Sequence, residues 1–252
     1  LESPTARAQL AFVVAAGLTT FARIQYVVLP VAFVAAALVV ERGRVRATAR
    51  LLRPTLLLLA LPVAAVAALG VHRVLGYYAG VTDLPVGPLG LARSLATQAM
   101  GLSYAAGFVL LPGALVALAL GVARPRARAE AAFAGLAAVL AGSLLAEAAL
   151  VAGYIDTRRF MERYLIVLPA LAAPAFGLWL KRGAPGRLAV GVLTLGFLLL
   201  SVRVPLSGYA VSENKWESPF LQAFYHLEQL AGTGNGAFVV AIVALAFCGL
   251  AA

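Results

Sequence analysis

Three arginines, Arg158, Arg159 and Arg163, lie within six residues of one another, and their type and spacing most directly indicate chemistry. Guanidinium groups donate paired hydrogen bonds that match phosphate oxygens, so a compact set of them favours phosphate binding. The same segment contains Asp156 and Glu162. The arginines could instead form local ion pairs with these acids or extend to a membrane surface. We predict phosphate binding by the three arginines, with those two arrangements as the alternatives.

Two acidic residues, Asp83 and Glu147, are candidates for a proton acceptor. Asp83 lies in a stretch rich in proline and glycine. Glu147 lies in an apolar run, about 10 Å below the end of the helix predicted there. An ionisable side chain at that depth usually faces a bundle interior or a wet cavity. The alternative for Glu147 is a structural bond to a neighbouring helix, with Arg203 as the candidate partner.

Three tyrosines, Tyr77, Tyr78 and Tyr164, are candidates for contacts with a sugar ring or an acceptor. Their rings combine an apolar face with a polar tip, which suits such a ligand. Tyrosine is also common where a membrane meets water, so simple anchoring is the alternative for all three.

Metal and cofactor chemistry has little support in the sequence. The two histidines, His72 and His226, are far apart, and the single cysteine, Cys248, excludes an intrachain disulfide. A glycine-rich stretch at 232–237 fits a dinucleotide pattern but lacks the preceding strand that such a site requires. We expect no metal site and no cofactor, and leave open only an added divalent cation.

The composition indicates a membrane protein. Of 252 residues, 63% are hydrophobic and 12% are charged, whereas soluble domains have about 45 to 50% apolar and about 25% charged residues. We predict an all-α, polytopic bundle of seven to eight transmembrane helices forming one domain over 1–252. Because the sequence starts at Leu1, we expect it to be a piece of a longer chain. The predicted spans are 8–20, 24–40, 54–70, 103–122, 131–153, 165–180, 187–206 and 237–252.

The distribution of basic residues predicts the orientation of these spans. Arginine and lysine are concentrated in the short connections, which the positive-inside rule places in the cytoplasm with the start of the chain. The longer segments 71–102, 154–164 and 207–236 then lie outside a membrane that we expect to be the bacterial plasma membrane. The net charge of +10 is explained mainly by this topology, so no nucleic-acid partner is expected.

The segment 207–236 predicts an amphipathic helix. Ser218 is a good N-cap, Pro219 suits the first helical position, and Gly232 ends the helical pattern. Between them, Phe220, Phe224, Leu227 and Ala231 recur at helical spacing. Such a helix is expected to anchor at the membrane interface, and a lid over a lipid-linked substrate is the more specific alternative. A second amphipathic stretch is predicted near 89–100.

Two short segments resemble motifs of the polyprenyl-phosphate-dependent C-type membrane glycosyltransferases. Residues 17–30, Gly-Leu-Thr-Thr-Phe-Ala-Arg-Ile-Gln-Tyr-Val-Val-Leu-Pro, resemble the L-x-x-L-T-R-x-x-x-x-x-L-P hairpin of that family. Residues 162–171, Glu-Arg-Tyr-Leu-Ile-Val-Leu-Pro-Ala-Leu, resemble the R-Y-L-x-x-x-L-P segment that opens a late span. The similarity in hydropathy and loop order covers 8–181.

This resemblance implies transfer of a sugar from a polyprenyl-phosphate carrier to an acceptor hydroxyl on the extracytoplasmic side. It also implies that Arg163 holds the lipid phosphate with help from Arg158 and Arg159, and that membrane lipid surrounds the enzyme. The family's catalytic acid, in a first outer loop, would lie upstream of Leu1. A transporter or lipid flippase is the rival prediction, because it would also use Glu147 and Arg203, and a purely structural membrane subunit is a third.

Overall fold

The structure, a computed structural model, describes residues 5–70, 72–73, 87–155, 160–204, 206–211 and 218–251. The regular secondary structure of these residues is helical, which confirms the predicted all-α class. The helices are α1 Ala6–Ala22, α2 Val28–Val40, α3 Val45–Leu51, α4 Arg53–Leu69, α5 Pro88–Ala106, α6 Leu110–Ala123, α7 Arg128–Ile155, α8 Glu162–Leu165, α9 Val167–Lys181, α10 Arg187–Arg203, α11 Leu206–Val211, α12 Pro219–Ala231 and α13 Gly236–Ala251, with a 3₁₀ turn at Ile24–Val27 before α2.

Within the described ranges, two stretches of helix are long and apolar enough to cross a membrane, namely Arg128–Ala152 within α7 and Glu162–Lys181 over α8 and α9. Three further pairs, α3 with α4, α5 with α6, and α12 with α13, are bent by 90°, 107° and 98°. If each bent pair forms one span, the described residues contain up to five spans. The predicted number of seven to eight is therefore not confirmed, because several apolar runs form helices shorter than a bilayer requires.

The predicted span 103–122 is wrong as a single helix. Its first residues belong to α5, which begins at Pro88 and ends at Gly107 with a φ of 101°. Gly107 adopts this backbone conformation readily because it has no Cβ. The chain then turns by 107° before α6 begins at Leu110. A hydropathy profile does not reveal such a break, because the residues on both sides of it are apolar.

The helices form two compact units. The first contains Leu1–Pro85 and Leu118–Ser143, and the second contains Val86–Ala117 and Leu144–Ala252. The first is held in part by the buried Gln9 of α1, whose side chain donates to the carbonyl of Leu51 at 2.9 Å and accepts from the hydroxyl of Thr55 at 2.9 Å. Because one amide group can both donate and accept, the Gln9 side chain links α1 to α3 and α4.

Small residues allow close helix packing in the first unit. A Cβ added to Gly135 of α7 would lie 2.9 Å from the Cα of Ala36 in α2. Ala36 itself is fully buried. Glycine and alanine bring helix backbones together in this way in membrane proteins, where dispersion contacts replace the hydrophobic effect between helices.

In the second unit, hydroxyl groups connect α5 to its neighbours. The hydroxyl of Ser94 donates to the carbonyl of Ala149 in α7 at 2.8 Å. The hydroxyl of Thr194 in α10 donates to the carbonyl of Phe108, just after α5, at 2.8 Å. Both hydroxyl groups lie among buried residues, so their bonds satisfy polar groups that would otherwise cost free energy. These contacts tie α5 to α7 and to α10.

Candidate functional site

Arg163 lies on the short helix α8, at the start of the candidate span Glu162–Lys181. Its side chain is exposed, and its guanidinium carbon lies 5.4 Å from the centre of the Tyr164 ring. This is within the range of a cation–π interaction, which orients the cation without neutralising it. Within the described residues Arg163 forms no ion pair. Its charge therefore remains accessible at one end of this candidate span.

Glu162, the acidic neighbour of Arg163, is bound elsewhere. Its carboxylate accepts a hydrogen bond from the hydroxyl of Ser218 and another from the backbone N–H of Phe220 at 3.2 Å. Both donors belong to the first turn of α12, where unpaired N–H groups and the helix dipole favour a negative charge. The local ion pair between Glu162 and Arg163, one of the alternatives from sequence, is thus not formed.

The amphipathic helix α12 confirms the boundaries predicted from its sequence. The hydroxyl of Ser218 accepts from the N–H of Leu221 at 3.1 Å, Pro219 occupies the first turn, and Gly232 follows the helix with a φ of 90°. The face that is buried differs in part from the predicted one. Leu221, Phe224 and Glu228 are its buried residues, so the helix is rotated slightly from the orientation that apolar spacing alone suggests.

An aromatic cluster joins α12 to α5. The ring of Tyr104 lies 5.2 Å from Phe108, 5.3 Å from Phe220 and 5.8 Å from Phe224, measured between centroids. The ring of Phe160, two residues before Glu162, lies 5.5 Å from Phe220. Edge and tilted contacts at these distances are favourable between aromatic rings. The cluster therefore packs the segment that leads to Arg163 together with α5 and α12.

Two contacts fix the chain just before α8. A Cβ at Gly101 of α5 would lie 1.8 Å from the ring of Phe160, so the ring packs directly on the glycine. The backbone N–H of Met161 donates to the side-chain oxygen of Gln98 at 3.0 Å, and Gln98 is fully buried. Arg163 therefore belongs to a segment that packs on α5 and is hydrogen-bonded to α12 through Glu162.

Glu228 is a residue that sequence reasoning missed. Its side chain is only 3% exposed, and one carboxylate oxygen accepts from the hydroxyl of Ser207 at 2.6 Å and from the N–H of Gly234 at 3.2 Å. The other oxygen is buried without a hydrogen-bond partner among the described residues. A buried, half-satisfied carboxylate is costly. Glu228 lies seven residues after Leu221, on the same helix face, and this spacing could have predicted its burial.

Glu147 lies half-buried on α7, inside the candidate span Arg128–Ala152. It has no hydrogen bond or ion pair with a described residue, and Arg203, its candidate partner, is exposed at the end of α10. An intramembrane carboxyl group without a partner is typical of a site that exchanges protons or contacts a polar ligand. The ion pair between Glu147 and Arg203, the alternative predicted from the sequence, is therefore not formed.

The remaining predicted site residues lie outside the described part of the chain. These are Arg158, Arg159, Tyr77, Tyr78 and Asp83. Within the described ranges, no group of three or more histidine, cysteine, aspartate or glutamate side chains could hold a metal ion. The observed part of the site is therefore Arg163 with Tyr164, supported by Glu162 and the helix that it binds.

No protein-family model matches this sequence, and no curated protein or solved structure matches it either. The functional conclusion therefore depends on the residues and their contacts.

Proposed function

We propose that this chain is part of an integral membrane glycosyltransferase that moves a sugar from a polyprenyl-phosphate carrier to an acceptor hydroxyl on the extracytoplasmic side. Arg163 binds the phosphate of the donor. The observation that carries this role is the separation of Arg163 from its acidic neighbour: Glu162 binds α12, and Arg163 stays exposed without an ion pair in the described chain. A cation kept free at the end of a membrane span is suited to a lipid-linked phosphate.

The proposed reaction explains why a fixed positive charge is needed. The acceptor oxygen forms a bond to the anomeric carbon of the sugar while the bond from that carbon to the carrier phosphate breaks. The electron pair leaves with the phosphate, and the proton of the acceptor hydroxyl goes to a carboxylate base. A guanidinium group that is already in place stabilises the negative charge as it develops on the phosphate, and the base assists the attack.

The base is not assigned by the contacts of the described residues. Asp83 and Glu147 are the candidates within this chain, and the family resemblance suggests an acid upstream of Leu1. The carboxyl group of Glu147 has no partner among the described residues, but it lies within the candidate span Arg128–Ala152. Tyr164, stacked under Arg163, is the described candidate for a contact with the sugar or the acceptor.

The helix α12 supports the proposal as an interfacial element beside the donor. Its exposed face includes Leu230, which is 88% exposed, and α13 turns away from it by 98°. An amphipathic helix bent sharply away from the following apolar helix suits a position along a membrane surface. Its link to Glu162 would place it next to the bound phosphate, where it could act as an anchor or as a lid.

The proposal is tested by donor kinetics with the full-length protein in lipid nanodiscs. The Arg163→Ala variant is expected to raise the KM for a polyprenyl-phosphate-linked sugar by about tenfold or more, because a charge-assisted hydrogen bond is worth about 1.5 to 3 kcal/mol. Arg163→Lys should retain part of the affinity, since lysine keeps the charge without the planar fork. Arg126→Ala, at another exposed arginine, is the matched control. Unchanged donor kinetics in Arg163→Ala would remove this residue from the site.

A transporter or lipid flippase is a second candidate, favoured by two observations. Glu147 is half-buried within a span without a described partner, and three helix pairs are sharply bent. Secondary transporters often bind substrates at broken helices near intramembrane charges. Sealed vesicles distinguish the two functions. Movement of a labelled lipid-linked sugar across the bilayer without a new glycosidic bond, abolished by Glu147→Gln, would support transport instead of transfer.

A further inference from the structure

A cavity of about 490 Å³ lies within the second unit, beside α10. Its walls come from α9, α10 and α13 and are mostly apolar. It is separate from the residues of the candidate phosphate site, because neither Arg163 nor the residues of α12 line it. The cavity is therefore a site that the proposed reaction does not use.

The α10 wall of this cavity is a single helix face. Arg187, Gly191, Thr194 and Leu198 follow one another at intervals of three or four residues, so their side chains share one side of the helix. At 1.5 Å per residue, this face is about 16 Å long. Arg187 stands at one end of it. The hydroxyl of Thr194 is bonded to the carbonyl of Phe108, so the rest of the face presents little unsatisfied polarity.

The opposite wall is aromatic. Trp179 lines the cavity, and its indole N–H donates to the carbonyl of Pro185 at 2.8 Å. The ring of Phe176 lies 5.3 Å from that of Trp179, and Val190 is buried against the same tryptophan. Because its one polar atom is bonded within the chain, Trp179 offers an apolar surface to whatever lies in the cavity.

The charge and the open space beside α10 indicate what kind of molecule the cavity could bind. Arg187 is exposed and has no ion pair with a described residue, and Lys181 adds a second exposed cation at the end of α9. A Cβ added to Gly191 would meet no atom within 4 Å, so the middle of the groove is free. An elongated apolar groove with a cation at one end complements a molecule with one anionic end and a hydrocarbon chain.

We propose that this groove binds an anionic phospholipid of the surrounding bilayer, with its phosphate at Arg187 and one acyl chain along α10 against Trp179. The exposed apolar side chains of α10, among them Leu188, Leu195 and Leu199, suit contact with lipid, and basic pockets between membrane helices commonly bind anionic head groups. This binding is independent of the glycosyltransferase proposal, because it uses none of the residues assigned to donor binding.

Trp179 provides a direct readout of the bound chain. In the full-length protein, the other tryptophan of this sequence, Trp216, is replaced by Phe, together with any further tryptophan outside it. The protein is then placed in vesicles of phosphatidylcholine that contain a fixed fraction of a lipid with brominated acyl chains. Brominated phosphatidylglycerol is compared with brominated phosphatidylcholine, since bromine quenches tryptophan fluorescence on contact. We expect about fivefold stronger association of the anionic lipid, the effect of one basic residue at a membrane surface.

Three variants connect the quenching to the groove. Arg187→Gln should remove the preference for the anionic lipid, and Gly191→Leu should reduce quenching by both lipids because it fills the groove. Gly196→Leu is the matched control: it lies on the same helix, its added Cβ also meets no atom within 4 Å, and it does not line the cavity. It should leave quenching unchanged.

Three outcomes would overturn the proposal. Equal quenching by the two brominated lipids in the parent protein would show ordinary contact with bulk lipid. Equal effects of Gly191→Leu and Gly196→Leu would show that the chain does not lie in the groove. Absence of quenching by either lipid would show that protein, either a second copy or another segment, covers Trp179. If Gly191→Leu fails to fold, the Arg187→Gln comparison still decides the charge preference.

Discussion

The carboxylate of Glu162 accepts a hydrogen bond from the hydroxyl of Ser218, the N-cap of α12, although 56 residues separate them along the chain. The same carboxylate accepts from the N–H of Phe220, so Glu162 caps a helix that is not its own. One consequence is structural, because α12 is fixed beside α8. The other is electrostatic, because the acid next to Arg163 is occupied and the guanidinium group remains available.

Loss of this cap should destabilise α12. We expect Glu162→Ala to lower the free energy of unfolding by about 1 to 2 kcal/mol, the usual cost of losing a capping interaction. Hydrogen exchange at the backbone amide of Leu221 should accelerate with it. The measurement is a double-mutant cycle with Ser218→Ala, followed by denaturation in detergent. Strictly additive losses from the two substitutions would show that they do not interact.

Gly101 should tolerate no larger residue. In Gly101→Ala the new methyl group would occupy the position of the Phe160 ring, so the ring must leave its contact with Phe220, at a cost of about 1 to 3 kcal/mol. Thermal unfolding checks this. Gly142→Ala is the control, because its Cβ meets no atom within 4 Å and alanine favours helix. Equal effects of the two substitutions would contradict the packing of Phe160 on Gly101, and a second substitution, Phe160→Ala, should partly restore Gly101→Ala.

The buried carboxyl group of Glu228 should be replaceable by an amide but not by a methyl group. Glu228→Gln retains an oxygen for Ser207 and Gly234 and removes a buried charge, so stability should change by less than about 1 kcal/mol. Glu228→Ala leaves both donors unpaired and should cost about 2 to 3 kcal/mol. Unfolding of the two variants under the same conditions gives the comparison. A glutamine variant as unstable as the alanine variant would show that the negative charge itself is required.

The ion pair between Arg128 and Glu41 should contribute little. Its arginine is 56% exposed, and exposed pairs are typically worth about 0.2 to 1 kcal/mol and weaken in salt. Arg128→Ala is expected to shift the unfolding free energy by no more than about 1 kcal/mol, with the difference vanishing at high ionic strength. A larger loss that persists in salt would indicate that the pair is shielded from water.

The orientation predicted from basic residues is tested by cysteine labelling. With Cys248 replaced by serine, single cysteines at Thr157 and Arg126 should react from opposite sides of the membrane. A membrane-impermeant maleimide added to intact cells should label position 157, and position 126 only after permeabilisation. The reverse pattern would invert the topology and place Arg163 in the cytoplasm, which would contradict the proposed extracytoplasmic transfer.

Local sequence features predicted some elements well. Ser218, Pro219 and Gly232 define the ends of α12 because capping and backbone preferences act within a few residues. Continuous apolar runs likewise predicted an all-α chain, and two of its described helical stretches are long and apolar enough to cross a membrane. The number of spans was less predictable, since Gly107 ends α5 and the chain turns by 107° within an apolar stretch.

The sequence alone determined the helical, membrane-compatible character of this protein and the arginine that is its candidate phosphate ligand. The partner of Glu162, the burial of Glu228 and the cavity beside α10 were decided only by tertiary structure. Each of these depends on residues that are distant in the chain but adjacent in space. A local pattern specifies which face of a helix is apolar, but the contacts between helices depend on how all their side chains pack together.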